Sequence, residues 1–363
     1  MSSLVSEIQR EIQLHGPISF ARFMELALYA PERGYYEQPR EIGRRGDYFT
    51  SVSVGPLFGS MLAFQFAQWL DAACPEGGVQ LVEAGPHHGA LAADILDWLA
   101  GHRPDLFQRL GYVLLEASPV RRQWQQETLR DFLPKVKWAA GAAALGESQV
   151  SGIIFSNEFL DSLPVHRLDW NASARQWQEW RVSIGSDSFV WRRSEPGADL
   201  AARLPPVPPE LAEVLPDSFA LEICPAAVDW WRAAARALRR GKLLTIDYGY
   251  RHGEWFRPEQ AQGTVRAFSR HHGSADLLAQ PGEQDLTADV DFFALMQAGE
   301  SAGLRTEAMA RQSRFFTEIF ARAGTAAFEP WDQKKVRQFK TLTHPEHLGE
   351  RFWILVQGRA ARE

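Results

Sequence analysis

Apolar residues in this chain gather in short runs separated by segments with helical spacing, and this alternation predicts an α/β fold. Runs of strand length lie at 79–83, 112–116, 135–139, 152–156 and 242–247. The segments between them are long enough for the crossover connections that parallel strands require. The pattern therefore predicts a doubly wound, mostly parallel sheet covered by helices.

Two regions outside this core follow other patterns. Apolar positions at helical spacing over 4–12 and 20–27 predict two amphipathic helices, separated by a break at Gly16-Pro17. Alternating apolar and polar residues between 165 and 191 predict antiparallel strands inserted into the core. We therefore expect a helical amino-terminal addition and an inserted antiparallel and helical addition.

Bulk composition narrows the classes of protein that fit. The chain has 363 residues, 45% of them hydrophobic, and a net charge of −6 with both signs dispersed, so we expect no nucleic-acid partner. No apolar run reaches the length of a membrane span, so we expect no membrane insertion. The histidine pairs lack metal-ligand spacing and a supporting set of carboxylates, and we expect no metal.

Cysteine content and the amino terminus bear on location. The sequence contains Cys74 and Cys224 alone, which form neither a disulfide framework nor a zinc motif and fit a reducing compartment. The first twelve residues lack the apolar core of a signal peptide and carry acids that a transit peptide avoids. The sequence therefore predicts a cytoplasmic location.

The turn after the first core strand carries the first candidate chemistry. Gly85 and Gly89 allow a sharp turn and the close approach of a ligand to main-chain N–H groups. A dinucleotide-binding loop has three such glycines, and Glu83 would repel a phosphate there. Glu83 instead suits the ammonium and sulfonium of S-adenosylmethionine, while Glu116 can accept both ribose hydroxyls. We therefore predict an S-adenosylmethionine site formed by these four residues.

Two other interpretations of this turn stay open. The strand-turn-helix of any α/β protein can use such glycines for structural reasons alone. A nicotinamide dehydrogenase is the second interpretation, and the absence of a third glycine from the turn disfavours it.

A second group of polar residues follows the fourth predicted strand. Asn157, Glu158 and Asp161 come where ligands bind in open α/β sheets, beyond the carboxyl ends of the strands. Two carboxylates there predict a cationic acceptor, and a guanidinium fits because its planar fork matches carboxylates that align one nitrogen for attack. These are our candidate catalytic residues. The structural alternative is that Ser156 and Asn157 cap the next helix and Asp161 is a first-turn acid.

Short motifs along nearly the whole chain resemble the MidA-like S-adenosylmethionine-dependent methyltransferases, whose mitochondrial members are complex I assembly factors that methylate arginine on a complex I subunit. The motifs are Gly34-Tyr35-Tyr36, Arg45-Gly46-Asp47-Tyr48-Phe49-Thr50, Leu81-Val82-Glu83 with Gly85 and Gly89, Asn157-Glu158-Phe159-Leu160-Asp161, Leu163-Pro164-Val165-His166 and Asp247-Tyr248-Gly249. The resemblance implies a Rossmann-like class I methyltransferase core. It also implies cofactor contacts at Gly85, Gly89 and Glu116, with Gly46-Asp47 and Asn157-Glu158 close by.

Two departures from the family pattern are informative. The family usually has Gly-Pro-Gly-Arg-Gly at the turn, where this chain has Gly85-Pro86-His87-His88-Gly89. The family also usually has Pro-Glu after Gly-Asp-Phe-x-Thr, whereas residues 51–54 contain neither. These departures leave open a second function, that of a catalytically weak or inactive methyltransferase-fold protein that binds or assembles a partner.

The resemblance and the patterns together predict the organisation of the chain and its partners. We expect amino-terminal helices and a cofactor-covering loop over 1–75, a methyltransferase core over 76–164 and 240–250, inserted strands and a helix over 165–239, and a partner-binding addition with closing strands over 251–363. The expected partners are a protein substrate, with a respiratory complex I-type subunit as the candidate, and a second copy of the chain as a homodimer.

Overall fold

The structure is a computed structural model that describes residues 3–40, 50–251, 256–269 and 272–359. Its helices are α1 (Leu4–His15), α2 (Phe20–Tyr29), α3 (Leu57–Ala73), α4 (Ala90–His102), α5 (Pro104–Arg109), α6 (Pro119–Thr128), α7 (Ala198–Ala201), α8 (Pro209–Val214), α9 (Pro225–Ala237), α10 (Phe292–Ser301), α11 (Gln312–Ala323) and α12 (Gln333–Thr343). No helix among these described residues is both long enough and apolar enough to cross a bilayer.

The strands range from the two residues of β1 and β14 to the thirteen of β10. They are β1 (Ile18–Ser19), β2 (Val79–Ala84), β3 (Leu110–Leu115), β4 (Val136–Ala139), β5 (Val150–Asn157), β6 (His166–Asn171), β7 (Gln176–Ile184), β8 (Phe189–Ser194), β9 (Ala220–Ile223), β10 (Leu238–Tyr250), β11 (Arg266–Ser269), β12 (His272–Ser274), β13 (Asp285–Thr287), β14 (Val290–Asp291), β15 (Arg305–Arg311) and β16 (Phe352–Arg359).

These elements belong to two compact units. The accessory unit contains the described residues of 3–40, 161–227 and 250–291, and the core unit contains those of 50–160, 228–249 and 292–359. Each unit has its own buried apolar cluster.

The core unit is built on a twisted sheet with strand order β15-β16-β10-β5-β2-β3-β4. The five strands from β10 to β4 are parallel to their neighbours, and β16 is antiparallel to both β10 and β15. On one side of β2 the next strands are β3 and β4, and on the other side they are β5 and β10, so the chain adds strands in both directions from β2. The reversal lies between β2 and β5, and in open α/β sheets this switch point is where ligands bind.

Large aromatic side chains fill the core unit. Phe66 of α3 packs on Phe155 of β5 with ring centroids 4.9 Å apart, and Phe58 packs on Phe316 of α11 at 5.3 Å. All four are fully buried. Each contributes roughly 1.5–3 kcal/mol through removal of its apolar surface from water, which holds the helices against the sheet.

The accessory unit is antiparallel. Strands β1, β7, β6 and β9 pair in that order with β8 on β7, and a separate small sheet has the order β12-β11-β13. A cluster that includes Trp170, Trp177 and Phe219 forms its apolar centre. The amino-terminal helices α1 and α2 are joined by Arg22, which donates to both carboxylate oxygens of Glu11 at 2.8 and 3.0 Å.

The predicted doubly wound α/β fold is confirmed, with its helical amino terminus and its inserted antiparallel strands. The sequence did not predict β9 or the small sheet of β11 to β13. These strands are three or four residues long, which is too short for a period-two pattern to stand out from a loop.

Candidate functional site

The glycine turn joins β2 to α4 through left-handed backbone. Gly85 has φ +68°, His87 has φ +45° and Gly89 has φ +85°, and the Gly89 N–H donates to the Pro86 carbonyl at 2.6 Å. Gly89 is also the N-cap of α4, so the first N–H groups of that helix face the turn. Glycine adopts such φ values without the steric penalty that a side chain brings.

Close packing is a second reason for both glycines. A Cβ on Gly85 would lie 2.8 Å from Cδ2 and 2.9 Å from Cβ of Phe159, which follows β5. A Cβ on Gly89 would lie 3.2 Å from the Leu129 side chain. The end of β5 therefore lies directly against the turn at Gly85.

Glu83 lies one residue before the end of β2 and is 2% exposed. The Tyr112 hydroxyl of β3 donates to its Oε2 at 2.6 Å. Burial raises the pKa of the Glu83 carboxyl to about 7, and the hydrogen bond from Tyr112 opposes that rise. The charged form of this group is therefore costly until a cation lies beside it.

Glu116 follows β3 and is held from three sides. Its Oε1 accepts from the Ser118 N–H at 2.8 Å and lies 2.9 Å from Nη2 of Arg121, while its Oε2 accepts from Nε2 of Gln125 at 3.1 Å. The side chain is 3% exposed. These contacts fix the direction of the carboxylate.

Gln125 is a residue of this site that sequence reasoning missed. Its Nε2 also donates to the His87 carbonyl at 2.9 Å, and its Oε1 accepts from Nε1 of Trp138 at 2.8 Å. Within α6, which is wholly described, Gln125 is the one buried residue. No sequence signal distinguishes it, because it lies among other polar residues on a helix without an apolar stripe.

The two histidines of the turn contact each other edge to face, and His88 also contacts Trp124. The rings of His87 and His88 are 4.4 Å apart, and His88 lies 4.8 Å from the Trp124 ring. Burial, followed by the charges of His88 and Arg121, lowers the pKa of His87 to about 3, so the imidazole is neutral. Its Nδ1 is buried without a hydrogen-bond partner among the described residues.

The end of β5 presents Asn157 and Glu158. Glu158 has φ +49°, and its N–H donates to the Ile246 carbonyl at 2.9 Å. Its Oε1 accepts from the Ser51 N–H at 3.0 Å and from Nδ2 of Asn157 at 3.1 Å. Oδ1 of Asn157 is buried and has no partner among the described residues. Ser51 was not predicted, and it lies in the segment where the family usually carries an acid.

Asp247 of β10 holds this turn in place. Its Oδ2 accepts from the N–H groups of Phe159 and Leu160 at 3.2 and 2.9 Å, and its Oδ1 accepts from the Tyr248 N–H at 2.9 Å. Burial and the charge of Glu158 raise the pKa of Asp247, whereas these three N–H groups favour its ionised form. Asp247 thus fixes the backbone that displays Glu158.

The remaining predicted residues lie elsewhere. Asp161 belongs to the accessory unit, where it is 6% exposed and its carbonyl accepts from the Ala288 N–H at 2.8 Å. Gly46 and Asp47 lie outside the described residues. The structure thus brings together Glu83, Gly85, Gly89, Glu116, Asn157 and Glu158 within the core unit.

The residues present fit the cofactor that the turn predicts. A buried carboxyl with a raised pKa suits a cationic ligand. Nδ1 of His87 and Oδ1 of Asn157 have no hydrogen-bond partner in the described part of the chain, and a polar ligand would satisfy them. Strand order and turn chemistry therefore define a class, the S-adenosylmethionine-dependent methyltransferases with a doubly wound sheet.

Comparison with known proteins identifies the family. A family model described as "Putative S-adenosyl-L-methionine-dependent methyltransferase" matches residues 61–310, and the chain belongs to this MidA-like family. The chain is an S-adenosylmethionine-dependent methyltransferase, and S-adenosylmethionine is its cofactor.

Individual relatives match over almost the whole chain. The "Protein arginine methyltransferase NDUFAF7 homolog, mitochondrial" of Drosophila melanogaster is 29% identical over 97% of this chain and 84% of its own length. The human "Protein arginine methyltransferase NDUFAF7, mitochondrial" is 28% identical over 97% of this chain and 82% of its own. A Burkholderia thailandensis protein, solved with bound S-adenosylhomocysteine, superposes with a TM-score of 0.86 at 32% identity, covering 99% of this chain and 92% of that one.

These relatives correct one prediction. The expected cytoplasmic location is wrong, because the Drosophila, rat and human relatives all carry the word mitochondrial in their names. The prediction relied on the two cysteines and on the composition of the first twelve residues. Cysteine content separates oxidising from reducing compartments and does not separate one reducing compartment from another.

Proposed function

We propose that the chain is a protein arginine N-methyltransferase and that Glu158 binds the substrate guanidinium. The observation that carries this proposal is the Glu158 side chain at the carboxyl end of β5, held by Ser51 and Asn157 beside the glycine turn. The names of the Drosophila and human relatives support arginine as the acceptor.

Cofactor binding is assigned to the residues around the switch point of the core sheet. Glu83 would face the ammonium of the aminoacyl group, Glu116 would accept hydrogen bonds from the ribose hydroxyls, and Gly85 and Gly89 would leave room at the turn. S-adenosylmethionine, when bound, supplies a methyl group activated by the adjacent sulfonium. The residues of the chain supply alignment, exclusion of water and a place for the released proton.

Glu158 has two tasks in this proposal. Its carboxylate accepts hydrogen bonds from the guanidinium and aligns one nitrogen for in-line attack, which lowers the entropic part of the barrier. Transfer of the methyl group from sulfur to the guanidinium nitrogen would release a proton from that nitrogen, and Glu158 would accept the proton or pass it to water. Asn157 orients Glu158 through its donated hydrogen bond. Asp161 remains a proposed catalytic residue of the accessory unit.

A protein is the proposed acceptor, and a respiratory complex I-type subunit is the first one to test. The Gly46-Asp47 pair stays a predicted cofactor contact, and the homodimer stays a prediction.

A second candidate function is that of a binding or assembly protein with weak methyl transfer. One observation favours it: His87, rather than glycine, occupies the middle of the turn, and its ring is largely buried.

The test is Glu158→Gln, which keeps the size of the side chain and removes its charge. We expect S-adenosylhomocysteine affinity within about 3-fold of the parent by calorimetry, because Glu158 does not hold the cofactor. Transfer of labelled methyl to an arginine peptide should fall by about 100-fold or more, the range for loss of a positioned acid–base group.

The matched control is Glu318→Gln on α11, where the side chain is 52% exposed and pairs with Arg314 on the surface. It should leave both binding and transfer unchanged. Parental transfer rates in Glu158→Gln would rule out its assigned role. A parent protein that binds S-adenosylhomocysteine and methylates no arginine peptide or subunit would instead favour the assembly function.

A further inference from the structure

A single buried amide lies between the two halves of the cofactor site. Nε2 of Gln125 donates one hydrogen to the carbonyl of His87 in the glycine turn and the other to Oε2 of Glu116 after β3. Gln125 is 0% exposed, so neither bond competes with water. The turn and the carboxylate are therefore held to one another through one side chain.

The orientation of that amide is itself fixed. Nε1 of Trp138 in β4 donates to Oε1 of Gln125 at 2.8 Å, which commits the oxygen to Trp138 and leaves both amide hydrogens for His87 and Glu116. A flipped amide would place its oxygen against two acceptors and its NH₂ against a donor. The three partners thus allow only one orientation of the Gln125 amide.

The helix end and Gln125 engage different oxygens of the Glu116 carboxylate. The Ser118 N–H and the Arg121 guanidinium contact Oε1. Nε2 of Gln125 donates to Oε2, so rotation of the carboxylate about an axis through Oε1 would break the Gln125 hydrogen bond. The same nitrogen donates to the His87 carbonyl, so Gln125 links Oε2 of Glu116 to the glycine turn.

We propose that Gln125 is a positioning residue for the cofactor ribose: it acts through Glu116 and the His87 carbonyl, setting the direction of the carboxylate relative to the glycine turn. This inference rests on the proposed role of Glu116 as the acceptor for the ribose hydroxyls. Gln125 itself need not touch the cofactor. Loss of Gln125 should therefore weaken the binding of a ligand with both ribose hydroxyls more than the binding of a ligand that lacks one of them.

The core unit contains a matched control for the loss of three buried hydrogen bonds. Gln357 of β16 is also 0% exposed, its Oε1 accepts from Nε1 of Trp231 at 2.8 Å, and its Nε2 donates to the Met296 carbonyl at 3.0 Å and to Oγ1 of Thr306 at 2.9 Å. The bonding pattern matches that of Gln125 except that a threonine hydroxyl replaces the carboxylate. Strands β10 and β5 separate it from β2.

The experiment compares the affinities of the full chain for S-adenosylhomocysteine and for its 2′-deoxy analogue, by calorimetry. In the parent, loss of one hydroxyl from a charge-assisted hydrogen bond should weaken binding by about 10-fold or more. In Gln125→Met this preference should fall below about 3-fold, with weaker binding of S-adenosylhomocysteine itself. Gln357→Met should show a comparable fall in melting temperature and keep the parental preference.

A second variant covers the case in which Gln125→Met does not fold. Gln125→Glu keeps the shape and the acceptor for Trp138 and removes the amide hydrogens that reach His87 and Glu116, so it should lose the preference as well.

The outcomes separate the two proposals. If the parent binds no S-adenosylhomocysteine, the proposed cofactor site fails and this inference with it. If the parent prefers S-adenosylhomocysteine and either folded Gln125 variant keeps that preference, the positioning role alone is overturned. Equal binding of both ligands by the parent overturns the ribose role of Glu116.

Discussion

At the scale of single residues, Glu83 is a carboxyl group whose charge is opposed by its surroundings. Its pKa of about 7 in the folded chain, against an ordinary value of 4.5, means that the folded state prefers the protonated form. The resulting stabilisation is complete below about pH 4.5 and is lost as the pH rises through about 7. A cation bound beside Glu83 would favour the ionised form and release the proton.

Cofactor affinity should therefore depend on pH. We expect the affinity for S-adenosylhomocysteine to rise by about 10-fold between pH 6 and pH 8, as Glu83 loses its proton. Calorimetry at both pH values measures this change. Glu83→Gln should bind more weakly at pH 8 and show a flat profile. A parental rise with pH in that variant would assign the titration to another group.

Gly85 tests how close packing shapes the turn. Gly85→Ala should lower stability by about 1–2 kcal/mol from its positive φ, and by a further 1–3 kcal/mol from the contact with Phe159, and it should weaken S-adenosylhomocysteine binding by at least about 10-fold. Gly77→Ala is the control, since its φ of +77° is similar and a Cβ there meets nothing within 4 Å. Denaturant unfolding and calorimetry compare the two; equal losses of stability would contradict the Phe159 contact.

At the scale of elements, the site depends on strand order. Glu83 at the end of β2, Glu116 after β3 and Glu158 after β5 are far apart in sequence and adjacent because β2 pairs with both β3 and β5. The predicted strands and the carboxyl-end rule were enough to expect this gathering. They did not predict that Asp247 on β10 would fix the turn at Glu158, because an acid at a strand end has the same sequence signature as a helix cap.

Helices α3 and α4 approach closely at Gly59, where a Cβ would lie 2.5 Å from Cβ of Asp94. Gly59→Ala should therefore destabilise the protein by about 1–3 kcal/mol despite the higher helix propensity of alanine. Gly101→Ala in α4 is the control, because a Cβ there meets nothing within 4 Å and the change should be neutral or stabilising by about 0.4–1 kcal/mol. Chemical denaturation measures both. Equal effects at the two sites would mean that the helices adjust at little cost.

At the scale of the whole molecule, ligand binding should report on the class of cofactor. S-adenosylhomocysteine at 100 times its dissociation constant should stabilise the folded chain by about 2.7 kcal/mol and raise its melting temperature. NAD at the same concentration should have no effect, because Glu83 opposes a pyrophosphate at the turn. A thermal shift with NAD and none with S-adenosylhomocysteine would restore the dehydrogenase interpretation.

The sequence by itself determined the features that are local in the chain: the strands and helices of the core, the turn with Gly85 and Gly89, and the acids that follow β2, β3 and β5. Periodicity and turn chemistry express the conformational preferences of neighbouring residues, so they can be recognised without the fold. The tertiary structure alone decided which side chains hold those acids. Ser51 reaches Glu158 across 107 residues and Gln125 reaches the His87 carbonyl across 38, and such hydrogen bonds depend on packing that no local pattern encodes.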